Sequence, residues 1–127
     1  MEYLSVIAAG IAAFAFGAVW YMSLSKPWME AAGVSEEQAH NAGAVTYLTG
    51  LISAILVAGM MRHVFVGTGV DSLGKGVISG LGLGLFIATP WIATNYGFAG
   101  RPMKLLLIDG GYATIGCGVI GLVLMLF

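Results

Sequence analysis

Charged residues and cysteines are scarce in this sequence, and each shortage excludes a class of protein. Lysine and arginine number five, and aspartate and glutamate six, so charged residues make up 9% of the 127 positions. A soluble globular chain has roughly 25%. The net charge of −1 and the lack of a basic patch give no reason to expect a nucleic-acid partner. Cys117 is the only cysteine, which excludes an internal disulfide or a thiolate cluster.

The first apolar segment lacks the features of a cleaved signal peptide. Glu2 occupies a position where a basic residue is expected in a signal peptide. The apolar run also extends over about 20 residues, whereas the core of a signal peptide has about 7 to 15. We therefore expect this segment to be a permanent helix.

Apolar residues are abundant. Hydrophobic residues make up 59% of the sequence and the mean hydropathy is +0.95; a helix needs about 20 such residues to span a bilayer. The predicted fold class is all-α, a polytopic membrane protein with a single domain over residues 1–127. We expect an antiparallel four-transmembrane-helix bundle with a short interfacial helix in the first loop. The spans are predicted at about residues 3–22, 44–61, 74–93 and 104–127.

Small residues recur at every fourth position of the third span. Gly76, Gly80, Gly84 and Ala88 share one helix face, here called the glycine ridge, and helices in lipid associate closely through such faces. The alternation of glycine and leucine in this stretch also fits a strand, but an isolated strand in lipid would leave its backbone unpaired. Gly82 lies on the far side, where a second packing face is expected. The same spacing occurs in the other spans at Ala9, Ala13 and Gly17, at Gly50, Ala54 and Ala58, and at Gly110, Thr114 and Gly118.

The polar first loop carries signals for short helices. Ser25 is the predicted N-cap of one helix, which has a proline in its first turn, and Gly33 is its predicted end. Ser35 and Gln38 match a capping box, in which each side chain accepts from the backbone N–H of the other. We expect one or two short helices at the membrane interface, acting either as a plain connector or as a docking surface or lid.

Pro90 lies within the third span and cannot donate a hydrogen bond to the carbonyl of Phe86. A kink is therefore predicted near this residue. Neighbouring helices can satisfy the freed carbonyl, so the kink is either purely structural or opens a small cavity.

Asp109 is the one acidic residue predicted to lie within a span, where a charge is costly enough to suggest a function. It follows Lys104 by roughly 7.5 Å along the helix. Lys104 or Arg101 could pair with it, and Asn95 or Tyr96 could donate from the facing loop. A structural ion pair or hydrogen bond and a substrate or proton site both remain open. The candidate ligand or ion site comprises Asp109, Asn95, Tyr96, Trp91 and Arg101.

Amphipathic aromatic residues collect on the membrane side that holds the first and third loops. This distribution is typical of interfacial anchors and makes the bundle asymmetric across the membrane. The residues are Trp20, Tyr21, Trp28, Tyr47, Trp91 and Tyr96.

No metal site or catalytic constellation is predicted. His40 and His63 flank the second span and cannot share a metal within one subunit. No serine or cysteine nucleophile has a base within sequence reach, and the glycines of the third span are not a phosphate loop, because no Lys-Ser/Thr follows them. We predict no catalytic residue, no cofactor and no enzymatic activity.

Several short motifs give the chain a family resemblance. They are Gly17 to Tyr21, Lys26 to Met29, Gly33 with Ser35 to Glu37, the glycine-rich third span, and Arg101-Pro102 leading into Leu107 to Tyr112. With these motifs the sequence resembles the small bacterial four-helix membrane proteins grouped as domain-of-unknown-function family 1761. The family has no assigned activity, so the resemblance implies the four-helix fold and no catalytic role.

Two functions are compatible with this sequence, and a third has less support. The first is a structural or accessory protein of the bacterial inner membrane, which joins a homo-oligomer or a larger complex through glycine-rich faces. The second is a small transporter or channel. Small multidrug-resistance exporters use a glutamate in the first span, but the predicted first span here contains no acid, so Asp109 would have to take that role. A membrane enzyme acting on lipid would need a paired acid and base. The lipid bilayer is the expected partner in every case.

Overall fold

The computed structural model describes residues 2–127, and these residues are helical with short connections. The helices are α1 (Glu2–Ser23), α2 (Ser25–Ala32), α3 (Glu36–His40), α4 (Gly43–Thr68), α5 (Leu73–Leu83), a π-helical turn (Gly84–Ala88), α6 (Thr89–Ala99) and α7 (Met103–Leu124). Four stretches are long and apolar enough to cross a membrane: α1, α4, the continuous third span Leu73–Ala99, and α7. This confirms the predicted all-α fold with four membrane spans.

The second and third spans run further than the sequence predicted. The second ends at Thr68 and not near residue 61, and the third ends at Ala99 and not near residue 93. Each is ended by a glycine in the left-handed conformation, Gly69 at φ 74° and Gly100 at φ 69°. The prediction followed the apolar run, whereas the backbone stays helical through polar residues until a glycine allows it to turn.

Buried side chains of the first, second and fourth spans form one core cluster, and the third span packs on its outside. The first span packs against both the second and the fourth, while the third packs mainly against the fourth. Small residues fill the contact between the first two spans: Ala9, Ala13, Ala54 and Ala58 are all buried. This confirms that the small-residue spacings of these two spans mark packing faces.

The glycine ridge lies against α7 of the same chain. A Cβ placed on Gly76 would lie 2.6 Å from the carbonyl oxygen of Gly121, and one on Gly84 would lie 2.5 Å from Cα of Thr114. Gly80 approaches the carbonyl of Cys117 just as closely. These are backbone atoms, so the contact requires glycine. The ridge is thereby occupied within one chain.

A π-helical turn follows the ridge and shifts the register of the rest of the span by one residue. The N–H of Thr89 donates to the carbonyl of Gly84, five residues back, and the Thr89 hydroxyl donates to the same oxygen at 2.8 Å. After Gly84, the next residue of this span that faces α7 is therefore Thr89, which lies against Gly110. The half-buried Ala88, predicted as the fourth member of the ridge, precedes this position by one residue.

The first loop forms two short helices, as predicted. Ser35 and Gln38 make the capping box, with the Ser35 N–H donating to Gln38 Oε1 at 2.8 Å and the Gln38 N–H donating to Ser35 Oγ at 3.1 Å. Gly33 ends α2 in the left-handed conformation at φ 71°. The N-cap prediction was wrong by one position, because α1 continues to Ser23, Leu24 takes the cap position and Ser25 is already helical.

Candidate functional site

Asp109 lies in the second turn of α7 and is half-buried where three spans meet. Six residues separate it from the start of the helix at Met103, which corresponds to roughly 9 Å along the axis. The carboxylate therefore lies between the start and the middle of α7. The position agrees with the predicted one.

Two tyrosines donate to the Asp109 carboxylate from different spans. The hydroxyl of Tyr21, near the end of α1, lies 2.6 Å from Oδ1. The hydroxyl of Tyr96, in α6, donates to Oδ2. Tyr96 was predicted as a donor and Tyr21 was not. Because each carboxylate oxygen has a different partner, the side chain links the first, third and fourth spans.

The expected basic partners of Asp109 contact the first loop. Arg101 Nη2 donates to the carbonyl of Ala32 at 2.8 Å, and Lys104 Nζ lies 3.7 Å from Glu30 Oε2. Both contacts are with the C-terminal half of α2, so the two cations hold this helix against the start of α7. The expectation that Arg101 or Lys104 pairs with Asp109 was wrong: among the described residues, their partners are Ala32 and Glu30.

Trp91 and Asn95 lie away from the site, and the π-helical turn explains why. In a regular α-helix, with about 100° per residue, Trp91 and Asn95 would follow Gly84 at about 7 and 11 residues and return to its face. The extra residue in the wide turn rotates everything beyond it, and Tyr96 takes the place expected for Asn95. Accordingly Trp91 is 68% exposed, Asn95 is exposed, and Tyr96 is half-buried.

Aromatic side chains that the sequence analysis did not assign to the site enclose Tyr21. The Tyr21 ring meets Tyr112 edge to face at 5.4 Å and Trp28 of α2 at 6.2 Å between centroids. Trp20 Nε1 donates to the carbonyl of Ile108 at 2.9 Å. The sequence predicted Trp20 and Tyr21 as interfacial anchors and not as part of the site. The signal that could have linked them to the site is their position near the same end of the bundle as Asp109.

The titratable residues outside this site do not gather around a metal position. Within residues 2–127 no group of three His, Cys, Asp or Glu side chains comes close enough to hold an ion. His40 is in α3 and His63 in α4, while Cys117 is half-buried in α7.

A family model described as "Protein of unknown function (DUF1761)" matches residues 4–125. The chain belongs to this family. The match covers all four spans of this DUF1761 protein, together with Tyr21, Tyr96 and Asp109. It confirms the resemblance found in the sequence. Searches of curated proteins and of solved structures gave no match.

Proposed function

We propose that this DUF1761 protein is a small transporter or channel in which Asp109 takes up and releases a proton within the membrane. One observation carries the proposal. Each oxygen of the carboxylate accepts a tyrosine hydroxyl, while the two basic residues nearest in sequence, Arg101 and Lys104, are engaged with α2. The carboxylate therefore has hydrogen bonds but no basic partner among the described residues.

The chemistry of these groups suits proton transfer. A carboxylate within a span is costly to ionise without a basic partner, and the two tyrosine hydroxyls offset part of that cost by donating to it. A tyrosine hydroxyl both donates and accepts hydrogen bonds. Tyr21, Asp109 and Tyr96 thus form a chain of exchangeable protons from the first span to the third. A proton needs no preformed cavity, which fits a half-buried carboxylate packed by aromatic rings.

The proposal gives the connector helix α2 the role of controlling access to this group of side chains. Trp28 of α2 packs edge-on against Tyr21, and the contacts of Glu30 and Ala32 hold α2 to the start of α7. Gly33 supplies a left-handed turn at its end. This arrangement supports the lid interpretation of the first loop over that of a plain connector.

The proposed location is the bacterial inner membrane, as the resemblance to small bacterial membrane proteins implies. The proposed function involves no enzymatic step and no cofactor. The four apolar spans support a multi-pass membrane protein.

Proton flux into proteoliposomes tests the proposal. Vesicles containing the full chain and an entrapped pH-sensitive dye are given a potassium diffusion potential, and acidification is compared with that of protein-free vesicles. Flux is expected with the wild-type chain and not with Asp109→Asn, whose amide retains the shape of the carboxylate. Asp71→Asn is the matched control, because Asp71 is exposed and precedes the third span, where it pairs with Lys75.

Two results would refute the proton function. One is wild-type flux no greater than that of empty vesicles. The other is equal flux in the wild-type chain and Asp109→Asn, which would leave Asp109 with the structural role of tying three spans together.

A structural or accessory role through self-association is the second candidate, and one feature of the third span favours it. Ile78 and Phe86 are 73% and 75% exposed, and Gly82 lies between them on the same helix face. A Cβ on Gly82 would have no neighbouring atom within 4 Å. The face therefore has a notch between two large apolar side chains, where a bulky side chain of another copy or of a larger complex would fit.

Native mass spectrometry of Gly82→Leu tests self-association. Leucine would fill the notch without touching the contact with α7, so the mass of any oligomer is expected to fall to that of a single chain. Gly97→Leu is the matched control, since Gly97 is exposed and a Cβ added there would likewise have no neighbouring atom within 4 Å. An oligomer that persists unchanged in Gly82→Leu would remove this interpretation. Gly80→Leu is a poor test, because it disrupts packing within the chain.

A further inference from the structure

An ion pair lies on the side of the protein opposite Asp109. Nη2 of Arg62 is 3.2 Å from Oε1 of Glu2, and the two side chains are 26% and 74% exposed. Glu2 begins α1, and Arg62 lies in the last two turns of α4. The pair therefore joins the start of the first span to the last two turns of the second.

Two hollows open beside this ion pair. A groove of about 570 Å³ runs between the first and second spans, and a smaller hollow of about 210 Å³ extends toward α7. Glu2 and Arg62 line both. Apart from the pair, the walls of the groove are mainly apolar, and His63 stands near its mouth. Its apolar lining includes Val6, Ile55, Leu56, Gly59 and Met60.

Gly59 keeps the middle of the groove open. The nearest atom to a Cβ placed there would be Cγ1 of Val6, at 3.7 Å, so a larger side chain would fill the space and not clash with backbone. From Arg62 to Ile55 the groove follows α4 for about 10 Å. That length suits the upper part of an acyl chain lying along a span.

We propose that this groove binds one phospholipid whose headgroup carries an amine, with phosphoethanolamine as the headgroup. The lipid phosphate lies on Arg62, the ammonium lies on Glu2, and one acyl chain occupies the groove. The site is separate from Asp109 and does not depend on the proposed proton function.

Charge complementarity selects this headgroup. A guanidinium has five donors in a fork that fits phosphate, and the contact with Glu2 leaves donors free. The exposed carboxylate of Glu2 likewise keeps acceptor capacity for an ammonium. An anionic headgroup without an amine would place the same phosphate on Arg62 but would offer no ammonium to the Glu2 carboxylate, which would then face the phosphate uncompensated. The fixed pair of opposite charges therefore matches a zwitterion better than an anion.

Lipid retention by the full chain tests the proposal. The purified protein in detergent is mixed with equal amounts of phosphatidylethanolamine and phosphatidylglycerol that have the same acyl chains, and bound lipid is measured by native mass spectrometry. We expect one phosphatidylethanolamine to be retained in preference. Arg62→Gln is expected to weaken this binding about tenfold, the scale of one charged hydrogen bond.

Two further variants separate the groove from general charge attraction. Lys75→Gln removes one positive charge on the same membrane side, but Lys75 pairs with the exposed Asp71 away from the groove, so retention is expected to stay at the wild-type level. Gly59→Leu leaves the ion pair in place and fills the groove, so retention is expected to be lost.

Three results would overturn the proposal. Equal retention of the two lipids would remove any role for Glu2 in headgroup choice. An equal loss in Lys75→Gln would reduce the effect to net charge. Unchanged retention in Gly59→Leu would show that no acyl chain lies in the groove, and this variant decides the matter even where Arg62→Gln fails to fold.

Discussion

Alanine substitution at two glycines of α5 tests how closely the third and fourth spans pack. Gly80→Ala and Gly82→Ala each add one methyl group to the same helix, two residues apart. At Gly80 the methyl group would overlap the carbonyl of Cys117 and lie 3.2 Å from Cα of Gly118. At Gly82 no atom outside the local helix lies within 4 Å. The two variants share their chemistry and differ in what the methyl group meets.

The expected difference follows from the atoms in the way. Alanine favours a helix over glycine by about 1 kcal/mol at either position in water, and this gain cancels in the comparison. The obstacle at Gly80 is backbone, which cannot rotate aside as a side chain does, so α5 and α7 must separate. Overpacking of this kind costs about 1–3 kcal/mol. We expect Gly80→Ala to be less stable than Gly82→Ala by about that amount.

Reversible unfolding in mixed micelles measures this difference. Stability is followed by tryptophan fluorescence as the fraction of denaturing detergent rises, because Trp20 is hydrogen-bonded to α7 and reports its detachment. Gly80→Ala is expected to unfold at a lower detergent fraction, while Gly82→Ala unfolds at or above the wild-type value. Equal stability of the two variants would refute the close contact between the ridge and α7.

Three further substitutions test local features of the fold. Tyr21→Phe removes one charged hydrogen bond and is expected to lower the free energy of unfolding by about 1.5–3 kcal/mol; Tyr47→Phe, at an exposed tyrosine, is the control, and equal losses would contradict the assigned bond. Thr89→Val is expected to lower the free energy of unfolding by about 1 kcal/mol more than Thr94→Val, because the Thr89 hydroxyl contacts α7 and the Thr94 hydroxyl does not. Equal stability of these two variants would contradict the contact of Thr89 with α7. Ser35→Ala is expected to cost α3 about 1 kcal/mol, seen as faster amide hydrogen exchange there and unchanged exchange in α4.

The membrane fold was accessible from the sequence because its main determinant is local. Runs of about 20 apolar residues need only be counted, and lipid leaves the backbone no other way to span. The helix ends were less accessible. Thr68 and Ala99 end their spans because a glycine in the left-handed conformation follows each. In the sequence, Gly69 and Gly100 are not distinguished from nearby glycines that stay helical, such as Gly67 and Gly97.

The candidate site was found in part. Asp109 stood out because a charge at membrane depth is rare, and Tyr96 was close enough in sequence to be considered. Tyr21 was missed as its partner, since the hydrogen bond joins residues 88 positions apart and depends on how two spans pack. Arg101 was assigned to Asp109 because of its proximity in sequence, whereas in the fold the backbone carbonyl of Ala32 is its partner.

The π-helical turn at Gly84–Ala88 amounts to a one-residue frameshift in three dimensions, and removing it has a definite consequence. Deleting a single residue there, such as Leu85, would remove the extra residue and return the span to an unbroken α-helix. Tyr96 would then follow Gly84 by 11 residues instead of 12 and would stay on the face beside Asp109. An unbroken α-helix over the full-length chain would instead bring Asn95 to that face, with an amide where a phenol now donates. The donor beside the carboxylate is thus set by one residue of chain length as well as by side-chain identity.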